Sequence, residues 1–321
     1  MFTRRQLFPL FAGAAAALSL PGLICAQEPA KELRIGWQKG GVFALAKANG
    51  ALEKRLADRG IAVSWNEFSS GPPLLEALGA NALDFGSTGD IPPLFAQAAG
   101  GNLVYVAASK GALDGSAILV KQDSPIKTLA DLKGKKLAFK RGSSAHNFAL
   151  GALRSVGLSL GDVEAIDLGP PDAAPAFANG QIDAWVIWDP YNAITQQDKQ
   201  TRVLATTEGL VESWGYYLAN CDYAKANPQV IVDLIDELGK VGAAAQANLD
   251  DTVKQISQIT GVPEPIQKIV LTRRGADLGS IATLTADNLA YQQKLADEFF
   301  ELKIVPKKLD IASAFWYPPA A

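Results

Sequence analysis

The sequence is poor in cysteine and histidine, and each shortage excludes a kind of site. Its 321 residues include two cysteines, Cys25 and Cys221, and one histidine, His146. A single histidine with no cysteine or acidic cluster beside it does not supply the ligands of a metal site. Nothing local supports a nucleophile pair of Cys221 with His146. We therefore predict no metal, no cofactor and no catalytic residue.

The chain also lacks an excess of positive charge and the motifs of two large enzyme classes. Its formal net charge is −3 at pH 7, so it offers no electrostatic footprint for nucleic acid. A Gly-rich phosphate loop ending in Lys-Ser or Lys-Thr is absent. Residues 142–145 do not follow the G-x-S-x-G pattern of a nucleophile elbow. We expect a binding protein rather than an enzyme.

Long apolar runs are missing except at the N-terminus. There, Arg4 and Arg5 precede an apolar segment, residues 7–20, that is shorter than an ordinary membrane span. A charged start, a short apolar stretch and a small residue at the cleavage point form a secretory signal, which we assign to residues 1–26. The paired arginines also fit a twin-arginine pattern. Twin-arginine export and ordinary unfolded export both stay open, and either predicts a periplasmic protein.

Removal of this segment changes the charge and the cysteine count. The formal net charge goes from −3 to −5, because two arginines and no acidic residues are lost. Cys221 then remains alone, so an internal disulfide is impossible and folding depends on the apolar core. The alternative is that Cys25 is retained as a lipid-anchoring cysteine.

The rest of the chain alternates short apolar runs with helical patterns. Predicted strands at residues 33–37, 61–65 and 83–86 alternate with predicted helices at residues 42–56 and 72–78. This rhythm predicts an α/β fold with parallel sheets wrapped by helices. It restarts in the middle of the chain and gives way to helices in the C-terminal third.

This layout is typical of one domain inserted within another. We predict lobe 1 at residues 27–113 and 212–321 and lobe 2 at residues 114–211, joined by two crossovers that form a hinge beside a cleft. An internal repeat supports twin domains. Four residues match residues 99 positions further on: Pro72, Leu83, Asp84 and Asp90 correspond to Pro171, Ile182, Asp183 and Asp189.

Three predicted strand-to-helix junctions are rich in glycine, serine and threonine. They lie at residues 36–41, 86–90 and 140–147. In α/β sheets such junctions sit at the carboxyl ends of strands, where ligands bind. A helix N-terminus adds unpaired N–H groups and a partial positive charge, both of which favour anions. Each junction alone is also explained as a helix cap, but three of the same kind indicate a shared anion site.

Aromatic side chains are the second feature of the predicted site. Trp37, Trp188 and Trp214 fall near predicted strand ends or crossovers, where such residues line mostly apolar pockets. For Trp185 and Tyr216 the alternation along the strand favours the core instead. The predicted pocket therefore combines an anion-binding end with an aromatic wall.

Four segments resemble the aliphatic sulfonate-binding proteins of ABC importers: residues 33–39, 84–100, 142–147 and 183–191. The resemblance covers nearly the whole mature chain. It implies a two-lobed type II periplasmic binding protein fold that delivers an alkanesulfonate to permease subunits in the inner membrane. Carried over by motif, the expected ligand-binding residues are Gln38, Ser87, Thr88, Gly89, Ser143, Ser144, Ala145, His146, Trp188 and Trp214.

The ligand is less firmly indicated than the role. A binder of taurine, nitrate or another small anion fits the same motifs, and Asp90 would suit the amino group of a zwitterionic ligand. An enzyme similar to thiamine-precursor synthases, which use histidine with iron, is a rival of another class. A sensor subunit that presents its ligand to a receptor is a third. We expect a monomer in each case.

Overall fold

The computed structural model describes residues 30–318. The predicted signal sequence, with its paired arginines and Cys25, lies outside the described residues. The strands are β1 (Glu32–Trp37), β2 (Ala62–Glu67), β3 (Phe85–Gly89), β4 (Leu103–Lys110), β5 (Ser116–Lys121), β6 (Lys136–Phe139), β7 (Glu164–Asp167), β8 (Ala184–Trp188), β9 (Thr201–Thr206), β10 (Trp214–Asn220) and β11 (Ala282–Thr283).

Helices cover both faces of the sheets that these strands form. They are α1 (Gly41–Asn49), α2 (Ala51–Ala57), α3 (Gly71–Gly79), α4 (Pro92–Ala98), α5 (Ser144–Ser155), α6 (Pro170–Ala178), α7 (Tyr191–Thr195), α8 (Cys221–Ala226), α9 (Pro228–Ala247), α10 (Leu249–Thr260), α11 (Glu264–Leu271) and α12 (Ala286–Glu301). Prolines occupy the first turn of several of them, where a missing N–H costs no hydrogen bond.

The strands form two separate sheets. One has six strands in the order β11-β4-β10-β3-β1-β2, and the other has five in the order β7-β6-β8-β5-β9. We call each sheet with its packed helices a lobe: lobe 1 holds the six-stranded sheet and lobe 2 the five-stranded one. The chain passes between them twice, over residues 111–115 and 207–213, where Gly111 N donates to the Ser213 carbonyl oxygen over 2.8 Å.

The α/β prediction is confirmed, and each sheet combines parallel with antiparallel pairs where the sequence indicated parallel sheets. β1 pairs in parallel with β2 and β3, whereas β10 runs antiparallel to β3 and β4. β5 likewise runs antiparallel to β8 and β9. The reason is the crossovers. β4 leaves lobe 1 at Lys110 and β10 returns opposite it at Trp214, so the returning strand must run the other way.

The buried apolar side chains lie on both faces of each sheet. Trp185 and Tyr216 are fully buried, as the strand alternation predicts. The single helix predicted at residues 42–56 is wrong, because Gly50 adopts a left-handed φ of 64° and separates α1 from α2. Glycine reaches that conformation without the strain that a Cβ would add.

The internal repeat has a structural counterpart. Asp84 accepts a hydrogen bond from the Arg34 backbone N–H over 2.8 Å, and Asp183 accepts one from the Lys136 backbone N–H over 2.8 Å. In each lobe this aspartate starts the strand beside the one it contacts. The same hydrogen bond from a backbone N–H to an aspartate therefore fixes the register of neighbouring parallel strands in both lobes.

Candidate binding cleft

A cavity of about 360 Å³ lies between the lobes. It forms where β1, β3 and β8 end and where α5 and β10 begin. All three junctions predicted from the sequence reach it. Of the residues predicted for the site, those that line this cavity are Gln38, Ser87, Thr88, Gly89, Ser143, Ser144, Trp188 and Trp214.

The two serines at the start of α5 differ in how free their hydroxyls are. Ser143 Oγ donates to the Lys140 carbonyl oxygen over 2.7 Å and is therefore engaged within its own turn. Ser144, the first residue of α5, turns its hydroxyl toward Asp90 of lobe 1. The first N–H groups of a helix have no intrahelical acceptor, so the backbone N–H groups of Ser144 and Ala145 add donors at this end.

The lobe 1 side of the anion end is more constrained. Thr88 Oγ1 donates to the Gly89 carbonyl oxygen over 3.0 Å, and Gln38 Nε2 donates to the Ser87 carbonyl oxygen over 3.2 Å. The Gln38 contact joins the ends of β1 and β3, whereas the Thr88 contact lies within β3. Gln38 keeps a second amide hydrogen, because a primary amide carries two.

Gly89 lets the two lobes meet. A Cβ placed on Gly89 would lie 1.9 Å from Ser144 Oγ. No side chain fits into that space, so the backbone of β3 lies directly against the first residue of α5. This close approach closes one end of the cavity.

Aromatic and apolar side chains form the other walls. Trp188 and Trp214 were expected there, and Tyr191 lies beside them. Phe43 and Phe68 also line the cavity, and sequence reasoning did not single them out. Phe68 directly follows β2, so the strand-end rule that located the three junctions would also have located it.

Charged side chains at the cavity are neutralised by neighbours. Lys39 Nζ lies 3.7 Å from Glu67 Oε1 at the exposed rim. Asp189 forms an ion pair with Arg273, with 2.8 Å between Oδ2 and Nε. The cavity thus presents hydrogen-bond donors and apolar walls without an unpaired charge among its lining residues in the described part of the chain.

Asp90 lies outside the cavity lining, although the sequence placed it in the site. Its side chain is 1% exposed. Oδ2 accepts hydrogen bonds from Tyr291 Oη at 2.8 Å and Asn147 Nδ2 at 3.2 Å. Burial raises the pKa of the Asp90 carboxyl above its ordinary value, against hydrogen bonds from Ser144, Tyr291 and Asn147 that lower it. Asp90 thus connects lobe 1 to α5 of lobe 2.

The side chains of Ala145 and His146 also lie outside the cavity. His146 is 1% exposed, stacks on Phe139 at 5.0 Å between ring centroids, and meets the edge of Phe299. Its Nδ1 accepts from the Gly142 backbone N–H over 3.3 Å. Burial lowers the pKa of His146 to about 4, so the ring is neutral near pH 7. It therefore packs the lobe contact and carries no charge for an anion.

Residues 30–318 contain neither a cluster of metal-ligating side chains nor a membrane-spanning helix. No three histidine, cysteine, aspartate or glutamate side chains in that range are grouped so as to hold a metal ion. No helix in that range is both long and apolar enough to cross a membrane.

Comparison with known proteins agrees with this geometry. The family model described as NMT1/THI5 like matches residues 56–252. An aliphatic sulfonates-binding protein of Escherichia coli (strain K12) is 42% identical over 306 residues, which is 95% of this chain and 95% of the relative.

Two solved structures have the same fold over most of their length. The alkanesulfonate-binding protein SsuA from Xanthomonas axonopodis pv. citri, bound to MOPS, is 38% identical with a TM-score of 0.86, covering 90% of this chain and 99% of that one. The periplasmic aliphatic sulphonate binding protein SsuA from Escherichia coli is 41% identical with a TM-score of 0.82, covering 91% and 94%. These relatives are binding proteins rather than enzymes. The chain therefore belongs to the NMT1/THI5-like family and to the aliphatic sulfonate-binding proteins, with the type II periplasmic binding protein fold.

Proposed function

We propose that the protein captures an aliphatic sulfonate between its lobes and delivers it to the permease subunits of an ABC importer. The observation that carries the proposal is the composition of one cavity. Donors from Gln38, Ser144 and the start of α5 face walls formed by Phe43, Trp188 and neighbouring aromatics. A sulfonate group offers three acceptor oxygens and no proton, so it suits donors, while its alkyl chain suits the apolar wall.

The electrostatics of the cavity favour a singly charged headgroup. Its lining residues hold their charges in ion pairs, so a bound anion is stabilised by hydrogen bonds and by the N-terminus of α5. Such donors are strong when the acceptor is charged and water is excluded. A dianion would gain no unpaired cation in return for its larger desolvation penalty.

The wider biological setting is part of the same proposal. We propose a monomer in the periplasm, exported through the signal in residues 1–26, with the twin-arginine and the ordinary unfolded routes both open. Lobe 1 would comprise residues 27–113 and 212–321, and lobe 2 residues 114–211. Closure about the two crossovers would enclose the ligand.

Titration calorimetry with a panel of anions tests the ligand class. Butane-, hexane- and octanesulfonate are expected to bind more tightly than sulfate and nitrate, because only the sulfonates fill both the donor end and the apolar wall. Taurine is the discriminating member, since its short chain carries an ammonium group. Tighter binding of taurine, nitrate or sulfate than of every alkanesulfonate would contradict the proposed ligand.

Single variants of the two serines test the site itself. Ser144→Ala is expected to weaken hexanesulfonate binding about tenfold to a hundredfold, because a hydrogen bond to a charged group contributes about 1.5–3 kcal/mol. Ser143→Ala is expected to weaken it less, since Ser143 Oγ already donates to the Lys140 carbonyl oxygen. The double variant should bind most weakly. Equal affinity of both single variants and the unaltered protein would remove this junction from the site.

A further inference from the structure

We infer that Asp90 is a positioning residue that takes up a proton when the lobes close on the anion, and that this proton leaves the Ser144 hydroxyl free to donate to the ligand. The inference rests on the proposed function. It concerns a residue that does not line the cavity, and it predicts a pH dependence that the cavity lining alone does not.

Tyr291 lies between two oxygen atoms and has one proton to donate. Its Oη lies 2.8 Å from Asp90 Oδ2 and 3.0 Å from the Glu212 carbonyl oxygen. Both neighbours are acceptors if Asp90 is ionised, and a phenol has one proton to share between them. If Asp90 is protonated, it donates to Tyr291 Oη, and Tyr291 donates to Glu212. The protonated form gives every member of this chain a partner within the protein.

Among the residues that the structure describes, the side chains packed around Asp90 do not include a cation paired with it. Three phenols face Asp90 from three elements of lobe 1: Tyr105 on β4, Tyr216 on β10 and Tyr291 on α12. Burial is the main cause that raises the pKa of all three, and proximity to Asp90 adds to it, so the phenols are neutral. Glu212 adds a negative charge that also raises the pKa of Tyr291. The pocket beside Tyr291 and Asn147 is lined by further charged side chains, which are Lys110, Arg154, Lys294, Glu208 and Glu298. No ion pair involves Asp90 in residues 30–318, so a buried charge there would be uncompensated.

Lobe closure completes the buried environment of Asp90. Asn147 and Ser144 approach Asp90 from α5 of lobe 2, on the other side of the cleft. Separation of the lobes would remove both contacts and admit water. The pKa of Asp90 would then return toward the ordinary value for a carboxyl. Closure therefore takes up a proton at any pH between the two values, and an anion held at Ser144 increases the uptake.

The effect on Ser144 follows from its single proton. An ionised Asp90 competes for that proton, because Oδ1 has no well-aligned hydrogen bond of its own. A protonated Asp90 has no such demand, and the hydroxyl can turn to the bound anion. The sign is fixed: the closed form has the raised pKa, so affinity is greatest at low pH and falls as pH rises toward that value.

Calorimetry on the unaltered protein tests the inference without any substitution. Hexanesulfonate is titrated between about pH 5 and pH 8 in paired buffers of different ionisation enthalpy, which gives the number of protons bound with the ligand. We expect net proton uptake with the ligand and a Kd that rises with pH, by at most about tenfold per pH unit. Closure also buries His146 and lowers its pKa to about 4, which would release a proton in the acidic part of this range, so the uptake by Asp90 is read above about pH 7. A flat Kd with no proton uptake would overturn the inference.

Variants assign the proton to Asp90. Asp90→Asn keeps a donor toward Tyr291 Oη, so we expect it to bind hexanesulfonate without proton uptake and with a Kd independent of pH. Asp90→Ala loses the contacts to α5 and should bind weakly at every pH. Asp58→Asn, which changes an exposed carboxylate, should keep the slope of the unaltered protein. Proton uptake that persists in Asp90→Asn would contradict the assignment.

The outcomes separate the two proposals. Absence of hexanesulfonate binding at every pH contradicts the proposed function and the inference with it. Binding without proton uptake contradicts the inference alone. Thermal unfolding of each variant shows whether a loss of binding reflects a loss of folding.

Discussion

Asp90 and Asp189 hold equivalent places in the two lobes, 99 residues apart, and the protein treats their charges in opposite ways. Each follows a strand that ends at the cleft, β3 or β8. Asp189 receives Arg273 at both oxygens, with Nε at 2.8 Å and Nη2 at 3.2 Å, and also the Ala193 backbone N–H. Asp90 receives neutral donors only.

The difference shows that the repeat preserves position but not chemistry. Burial raises the pKa of the Asp189 carboxyl, and the Arg273 guanidinium opposes that rise. Asp189 therefore stays charged, in an ion pair that joins lobe 2 to the segment after α11. Asp90 is built to be neutral when the lobes are closed. Asp189 supplies a charged contact across the cleft in the closed form, and Asp90 makes closure depend on pH.

Breaking the ion pair at Asp189 should have the largest effect. Arg273→Met leaves a buried carboxylate without its partner and is expected to lower the free energy of unfolding by about 3–5 kcal/mol. Urea denaturation followed by circular dichroism measures this. Adding Asp189→Asn to Arg273→Met should recover most of the loss, because the stranded charge is removed. No recovery in the double variant would mean that Arg273 acts through packing instead.

Much of the site could be read from the sequence because strand ends and helix starts carry local signals. Glycines, serines and prolines at residues 86–93 and 142–147 mark junctions by their own conformational preferences. The structure brings these junctions to one cavity. Phe68 carries the same signal, because it directly follows β2, but it was not predicted.

Other features depend on contacts between distant parts of the chain. The hydrogen bond from Tyr291 to Asp90 spans 201 residues, and no pattern near either residue indicates it. The antiparallel direction of β10 depends on where the chain re-enters lobe 1, which local periodicity does not report. The burial of Asp90 and His146 was not predicted for the same reason: it depends on packing against the other lobe.

The hydrogen bonds that Asp84 and Asp183 accept from neighbouring strands test whether the two lobes also differ in stability. Asp84 accepts from the Arg34 backbone and from its guanidinium, with Nη2 at 2.7 Å, and is buried. Asp84→Ala is expected to cost about 1.5–3 kcal/mol in the free energy of unfolding. Asp183→Ala removes an exposed carboxylate that holds the Lys136 N–H and should cost only about 0.5–1 kcal/mol. Paired thermal and urea melts compare the two, and equal losses would contradict the asymmetry.

The residues that precede the two aspartates give the smallest predicted effect and the most direct view of closure. Gly89 precedes Asp90 and Trp188 precedes Asp189, so lobe 1 offers bare backbone where lobe 2 offers an indole. Gly89→Ala puts a methyl group where Ser144 Oγ lies and is expected to weaken hexanesulfonate binding about tenfold, since such overpacking costs about 1–3 kcal/mol. Unfolding should change little, because parting of the lobes relieves the clash.

Gly239 supplies the matched control for this variant. It lies in α9, and a Cβ there meets no atom within 4 Å. Gly239→Ala should leave the affinity unchanged and stabilise the helix slightly. Calorimetry reads the affinities, and small-angle scattering with ligand present should show a more open molecule for Gly89→Ala alone. If Gly89→Ala binds hexanesulfonate as tightly as Gly239→Ala, the ligand-bound lobes do not meet at Ser144, and the proton-linked contact of Asp90 with α5 would have to form without that close approach.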